Sequence, residues 1–123
     1  MAAINLVKED LESTINDNDI VIIDFWASWC GPCKSFAPTF EAASEKYEDI
    51  VFAKVNTEEQ QELAAMFNIR SIPTLMVFRE NVILYSEAGA LPAGQFDELI
   101  TRVRDVNMAE VHEQIRQQQE NQA

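Results

Sequence analysis

The only two cysteines of the 123-residue chain, Cys30 and Cys33, are separated by Gly31 and Pro32. They follow an apolar run, Ile20 to Ala27, and precede a segment with helical spacing, so they belong where a strand hands over to a helix. Unpaired backbone N–H groups in the first helical turn, together with the macrodipole, stabilise negative charge there. The leading thiol should therefore ionise more easily than a free cysteine, which makes Cys30 the expected nucleophile. Pro32 suits a first turn because its missing N–H would be unpaired anyway, and Gly31 lets a partner chain approach closely. Cys33 lies over the same helical face and can reach the first sulfur. Such a dithiol can attack a disulfide in another protein and then free itself: the thiolate forms a mixed disulfide, and the second thiol, held at high effective concentration, resolves it. The competing chemistries fit less well. One C-x-x-C supplies half of a structural zinc site, and the only histidine, His112, is remote in the sequence. Haem attachment needs a histidine directly after the second cysteine, where this chain has Lys34.

The elements that must hold these sulfurs can be read from periodicity. Ile20 to Ala27, Val51 to Val55, Leu75 to Phe78 and Val82 to Tyr85 read as strands, with a weaker one at Ile4 to Val7. Between them, Leu11 and Ile15, then Phe36, Phe40, Ala43 and Tyr47, then Leu63, Ala64 and Phe67 recur at helical spacing. Pro38 should remove one bond from the second helix and kink it, and Thr57 with Gln60 predicts a capping box opening the third. A last helix follows Pro92, with Phe96, Leu99, Ile100 and Val103 on one face. Alternating strands and helices imply βαβ units, and Arg79-Glu80-Asn81 is too short for a crossover, so the last two strands form an antiparallel hairpin. The expectation is an α/β fold in the order β-α-β-α-β-α-β-β-α, a mixed sheet with helices on both faces. Residues 1–104 would form the domain and 105–123 a C-terminal extension. Because Met108, Val111 and Ile115 keep the helical period, the last helix is predicted to run on from Gly94 through about Gln114. Its overhang would pack back, pair with a second copy or fray, serving association or docking and not the sulfur chemistry.

Composition narrows the partners. Nine basic against 21 acidic residues leave a net charge of −12, which repels nucleic-acid phosphates and anionic lipid surfaces. No apolar run approaches a membrane span, and Met1 to Asp10 contains no basic segment ahead of an apolar one, so a reducing cytoplasm is the expected location. Within the most apolar strand, Asp24 is out of place. Alternation puts it on the face of Ile22 and Trp26, and helices over that face would desolvate it, raise its pKa and let it exchange a proton with Cys33. The bland alternative is a hydrogen-bonded carboxylate without a kinetic role. Trp29, beside the nucleophile, reads as contact surface, and Trp26 as packing.

The run Asp24-Phe25-Trp26-Ala27-Ser28-Trp29-Cys30-Gly31-Pro32-Cys33-Lys34 resembles the active-site signature of the thioredoxin family, and Ile69-Arg70-Ser71-Ile72-Pro73-Thr74-Leu75 resembles that family's second motif. The similarity extends over about residues 4 to 104. It implies the thioredoxin fold and a general protein-disulfide reductase acting on diverse disulfide-containing proteins. No cofactor would be bound; electrons would come from NADPH through a flavin-dependent thioredoxin reductase. By the same resemblance, Lys54 would lie near the buried acid, although a lysine in Val51 to Val55 also reads as a side chain snorkelling at a sheet end. Pro73 would follow a cis bond beside the sulfurs, where on pattern alone it marks only a strand start. Ile72 would then offer backbone groups to an extended substrate, with Gly89 and Ala90 on the other side of the groove. The hairpin tip departs from the family in lacking a glycine, although Asn81 can adopt a left-handed conformation. The rival is a binding module that uses the same groove, with the C-terminal helix as a homodimer or docking surface.

Overall fold

Ile20–Trp26 (β2) is apolar on both faces because it is the middle strand of five, and a computed structural model of the chain, describing residues 2–122, places helices over each side. Around it lie Ile4–Asn5 (β1), Leu11–Asp17 (α1), Gly31–Lys46 (α2), Val51–Asn56 (β3), Gln61–Met66 (α3), Thr74–Arg79 (β4), Val82–Ala88 (β5), Ala93–Asp105 (α4) and Met108–Gln122 (α5). The strand order is β1-β3-β2-β4-β5. β3 runs parallel to β1 and β2, whereas β4 is antiparallel to both β2 and β5. The expected mixed sheet and element order are therefore present, with one α-helix more than predicted and a short 3-10 helix at Lys8–Asp10.

Alternation along the strands sorts the core into two layers. Ile20 and Ile22 of β2, Phe52 of β3, and Leu75 and Val77 of β4 meet α2 and α4 through Phe36, Phe40, Phe96 and Ile100. Four of the phenylalanines, Phe36, Phe40, Phe52 and Phe96, form a ring cluster with centroids 5.3–6.2 Å apart. On the other side, Val21, Ile23 and Phe25 meet Leu11 and Ile15 of α1 and Leu63 of α3. Helix α2 continues through Pro38.

Three local expectations are corrected. The third helix opens at Gln61, not at Thr57 with a capping box. Asn56 takes the role instead, its Oδ1 accepting the N–H groups of Glu58 (2.9 Å) and Glu59 (3.4 Å), while the Thr57 hydroxyl donates to the Trp26 carbonyl. The hairpin loop is shorter than its sequence suggests: Arg79 pairs with Val82, so only Glu80 and Asn81 form the turn. Both have positive φ, 50° and 66°, as a primed two-residue turn requires, so Asn81 behaves as expected and Glu80 shares the strain.

The third correction concerns the C-terminal helix, which is broken and not continuous. Val106 is extended (φ −63°, ψ 132°) and ends α4, and Asn107 then accepts the Glu110 N–H at 3.2 Å to open α5, which runs on to Gln122. Arg79 fixes the break from the sheet side. Its Nη1 donates to the carbonyls of Val103 (2.9 Å), Arg104 (3.1 Å) and Val106 (2.9 Å) at the end of α4, where carbonyls run short of helical partners and that of Val103 otherwise accepts the Val106 N–H at 3.4 Å. The extension therefore folds back: Met108 is only 6% exposed, and His112 Nε2 lies 2.9 Å from Glu80 Oε1 at the hairpin.

Candidate active site

Cys30 is the N-cap of α2, and its extended backbone (φ −88°, ψ 114°) turns the chain from β2 into the helix. Pro32 falls within the first turn, where its ring displaces no hydrogen bond. The Cys30 Sγ accepts the backbone N–H of Cys33 at 3.2 Å, so the cap that other helices obtain from a serine or aspartate oxygen is here a sulfur. A donor aimed at that sulfur favours its thiolate, in the direction expected from the helix end alone. Exposure does not separate the two cysteines, at 4% for Cys30 and 3% for Cys33; their helix positions do. The sulfurs are joined in a disulfide, with the Cα atoms 5.2 Å apart. A Cβ built on Gly31 would meet no atom within 4 Å, which leaves open space at the dipeptide.

The remaining predicted residues gather at the same end of the sheet because of strand register. β2 ends at Trp26 just before the cysteines, and its antiparallel neighbour β4 begins at Thr74, opposite Phe25. Pro73 thus precedes β4 where β2 finishes, with a cis Ile72–Pro73 bond as the resemblance implies. Ala88 pairs with Thr74, and the Gly89 N–H donates to the Pro73 carbonyl at 2.8 Å, which brings Gly89 and Ala90 alongside. Gly89 has φ +112°, a conformation that side chains rarely adopt. Trp29 is 68% exposed.

Asp24 is 1% exposed, and neither carboxylate oxygen has a hydrogen-bond partner among the described residues. Burial pushes its pKa from 3.8 up to about 6, against the opposing pull of the Lys54 ammonium, so the carboxyl can exchange a proton near neutrality. Lys54 is the register partner of Asp24 in β3. Its side chain does not simply reach for solvent: the ammonium sits 4.8 Å from the centroid of the Trp26 ring. Trp26 itself, expected to be core packing, is half-buried, and this contact went unread in the sequence. Two-residue spacing from Asp24 in an alternating strand was the available signal.

Among the described residues, no group of three or more histidine, cysteine or acidic side chains is placed to hold a metal ion, and no helix is long and apolar enough to cross a membrane.

The thioredoxin family model matches residues 2–104. A putative thioredoxin 2 of Streptomyces coelicolor is 48% identical over 118 residues, covering 96% of this chain and 88% of its own. A match of 118 residues leaves at most five of 123 outside it, so it runs into the extension beyond Arg104. Thioredoxin of Mycoplasma genitalium is 38% identical over 91 residues, covering 74% of this chain and 89% of its own. Among solved structures, Plasmodium falciparum thioredoxin superposes with a TM-score of 0.74 at 36% identity, over 81% of this chain and 97% of that one. Family match, sheet topology and a bonded cysteine pair at the start of α2 agree, and the chain belongs to the thioredoxin family as a thiol–disulfide oxidoreductase.

Proposed function

We infer that the chain reduces disulfides in other proteins, with Cys30 attacking, Cys33 resolving and Asp24 carrying the proton. The observation that carries this reading is the Cys33 N–H aimed at the Cys30 sulfur, which supports giving the two cysteines different work. In the reduced protein the Cys30 thiolate attacks a substrate disulfide, forming one mixed disulfide and releasing one substrate thiolate, which takes a proton from water. Cys33 then passes its proton to the Asp24 carboxylate and attacks the Cys30 sulfur. The second substrate thiolate leaves, and the Cys30–Cys33 bond is restored. The substrate gains two electrons and the dithiol loses two. Gly31 and Pro32 shape the turn, Lys54 faces Asp24, and Trp29, Ile72, Pro73, Gly89 and Ala90 line the groove for an extended substrate segment. NADPH would recharge the disulfide through a flavin-dependent thioredoxin reductase, in the cytoplasm.

Turnover tests this reading. With thioredoxin reductase and NADPH, the chain is expected to reduce insulin through many cycles per molecule, whereas a binding module would hold its partner stoichiometrically and consume no more NADPH than its own disulfide requires.

The division into a redox domain, residues 1–104, and an extension used for docking or pairing belongs to the same reading. A chain ending at Arg104 loses the buried Met108 and the Val106 carbonyl held by Arg79. It is expected to be less stable by about 2 kcal/mol and to reduce insulin at an unchanged rate. Loss of activity in a truncated chain that still folds would tie α5 to the redox chemistry. A fall in sedimentation from dimer to monomer would identify pairing as its use.

A further inference from the structure

Asp24, Lys54 and Trp26 share one face of the sheet as a consequence of register. Asp24 and Trp26 are two residues apart in β2, and Lys54 pairs with Asp24 in the parallel β2–β3 ladder, so the three side chains leave the sheet on the same side. The polar atom of the indole is not what fixes Trp26. Its Nε1 is buried and has no hydrogen-bond partner among the described residues. What the ring does meet is the Lys54 ammonium, at 4.8 Å from the centroid. Lys54 also lines a cleft of about 390 Å³ whose lining includes Asn56 and Glu59. A flexible lysine stem thus shares an open cleft with an anionic side chain, and Glu59 and solvent compete with Asp24 for its charge.

We propose that Trp26 is a positioning residue for the exchange reaction, its ring face holding the Lys54 ammonium on the Asp24 side of this cleft and so setting when the buried carboxyl takes up and releases its proton. Lys54 is the charged group that acts on Asp24, and it opposes the effect of burial. Among the described residues, the partner of Asp24 in β4 is Leu75, α2 and α4 pack on this face through Phe36, Phe40, Phe96 and Ile100, and the titratable Tyr47 and Tyr85 pack against that cluster. Among the described residues, Glu59 is the one other charged side chain lining the cleft beside Lys54. A freed ammonium that turns to Glu59 or to solvent leaves Asp24 with its desolvation uncompensated, and the carboxyl then holds its proton to higher pH. The consequence for turnover rests on the reading of Asp24 as proton carrier; the placement of the ammonium does not.

The test is the titration of the Asp24 carboxyl carbon by NMR in the oxidised full-length protein, free of substrate, in a double-mutant cycle. Trp26→Leu and Lys54→Met are each expected to move the midpoint upward by about half a pH unit. Trp26→Phe, which keeps a weaker ring face, should move it less. The double variant Trp26→Leu/Lys54→Met should titrate where Lys54→Met does, because the ring has no ammonium left to hold. An unchanged midpoint in Trp26→Leu overturns the proposal. So does a double-variant shift equal to the sum of the two single shifts, the pattern expected if the leucine merely loosens packing around Asp24. Where the leucine variant does not fold, the phenylalanine variant completes the same cycle, and no shift in it is equally fatal. Since no turnover is measured, the outcome stands even if Asp24→Asn leaves activity intact and the proton-carrier assignment fails.

Discussion

Replacing Cys30 by serine is expected to abolish insulin reduction, leaving only the uncatalysed rate. The reason lies in which atom the helix prepares: Cys30 Sγ is the N-cap acceptor of the Cys33 N–H, and a hydroxyl in its place forms no thiolate and no mixed disulfide. Cys33→Ser is expected to fail differently. Attack by Cys30 survives, so the variant should bind substrates covalently, about one per protein. Escape then depends on thiols from solution, and losing an intramolecular partner slows release by roughly a thousandfold or more. Mass spectrometry after incubation with a disulfide-bearing protein separates the two variants: adducts accumulate on Cys33→Ser and are missing from Cys30→Ser. Undiminished turnover in Cys30→Ser removes the assignment of the nucleophile. Adducts on both variants would mean that the two sulfurs are interchangeable and that the N-cap hydrogen bond does not choose between them.

What the sequence made legible follows from signals that act locally. The run from Ile20 lacks alternation because β2 is covered on both faces, and the short Phe78 to Val82 connection forces a hairpin. The two sulfurs were readable because a strand, a C-G-P-C turn and a helix follow one another in the chain. Asp24 was readable because an acid in an apolar strand is conspicuous. The less legible features depend on which of two competing local choices the tertiary structure favours. Asn107 and Glu110 form a helix start, but the apolar period through Val103, Val106 and Val111 continues across them and hides the break. Arg79 decides the matter from another element, by taking the carbonyls that a continuous helix would have needed. Thr57 and Gln60 have the spacing of a capping box, yet the Thr57 hydroxyl is drawn to the Trp26 carbonyl and Asn56 takes the turn. For the Trp26–Lys54 contact, two-residue spacing puts Trp26 on the Asp24 face, but only the β2–β3 register brings Lys54 there.

Asp24→Asn is expected to make the protein more stable and a slower reductant. A carboxyl whose pKa rises from 3.8 to about 6 on folding lies about 2.2 pH units above its unfolded value, a difference of about 3 kcal/mol. The sign follows from proton counting. Between the two values the folded state binds more protons than the unfolded chain, so stability falls as pH rises from about 4 through 6 and then levels off. Stability tied to this group is fully present well below the unfolded value of 3.8, where the carboxyl is neutral in both states, and is lost above the folded value. Asparagine is neutral throughout and removes that slope. The gain over the parent protein, read from denaturant midpoints, should therefore be on the order of 3 kcal/mol above pH 7, less whatever its unpartnered amide costs, and should shrink toward zero as pH falls below 4. Resolution should slow at the same time, since Cys33 loses its proton acceptor, by about ten- to a hundredfold at neutral pH. Attack by Cys30 should be unaffected, so the mixed disulfide ought to build up transiently in this variant and not in the parent. If the variant is instead less stable at pH 7 and turns over normally, Asp24 is a structural carboxylate whose partners outweigh its burial. A stability gain that stays constant from pH 4 to 8 would be equally damaging, because it would show that the benefit of asparagine has nothing to do with the proton.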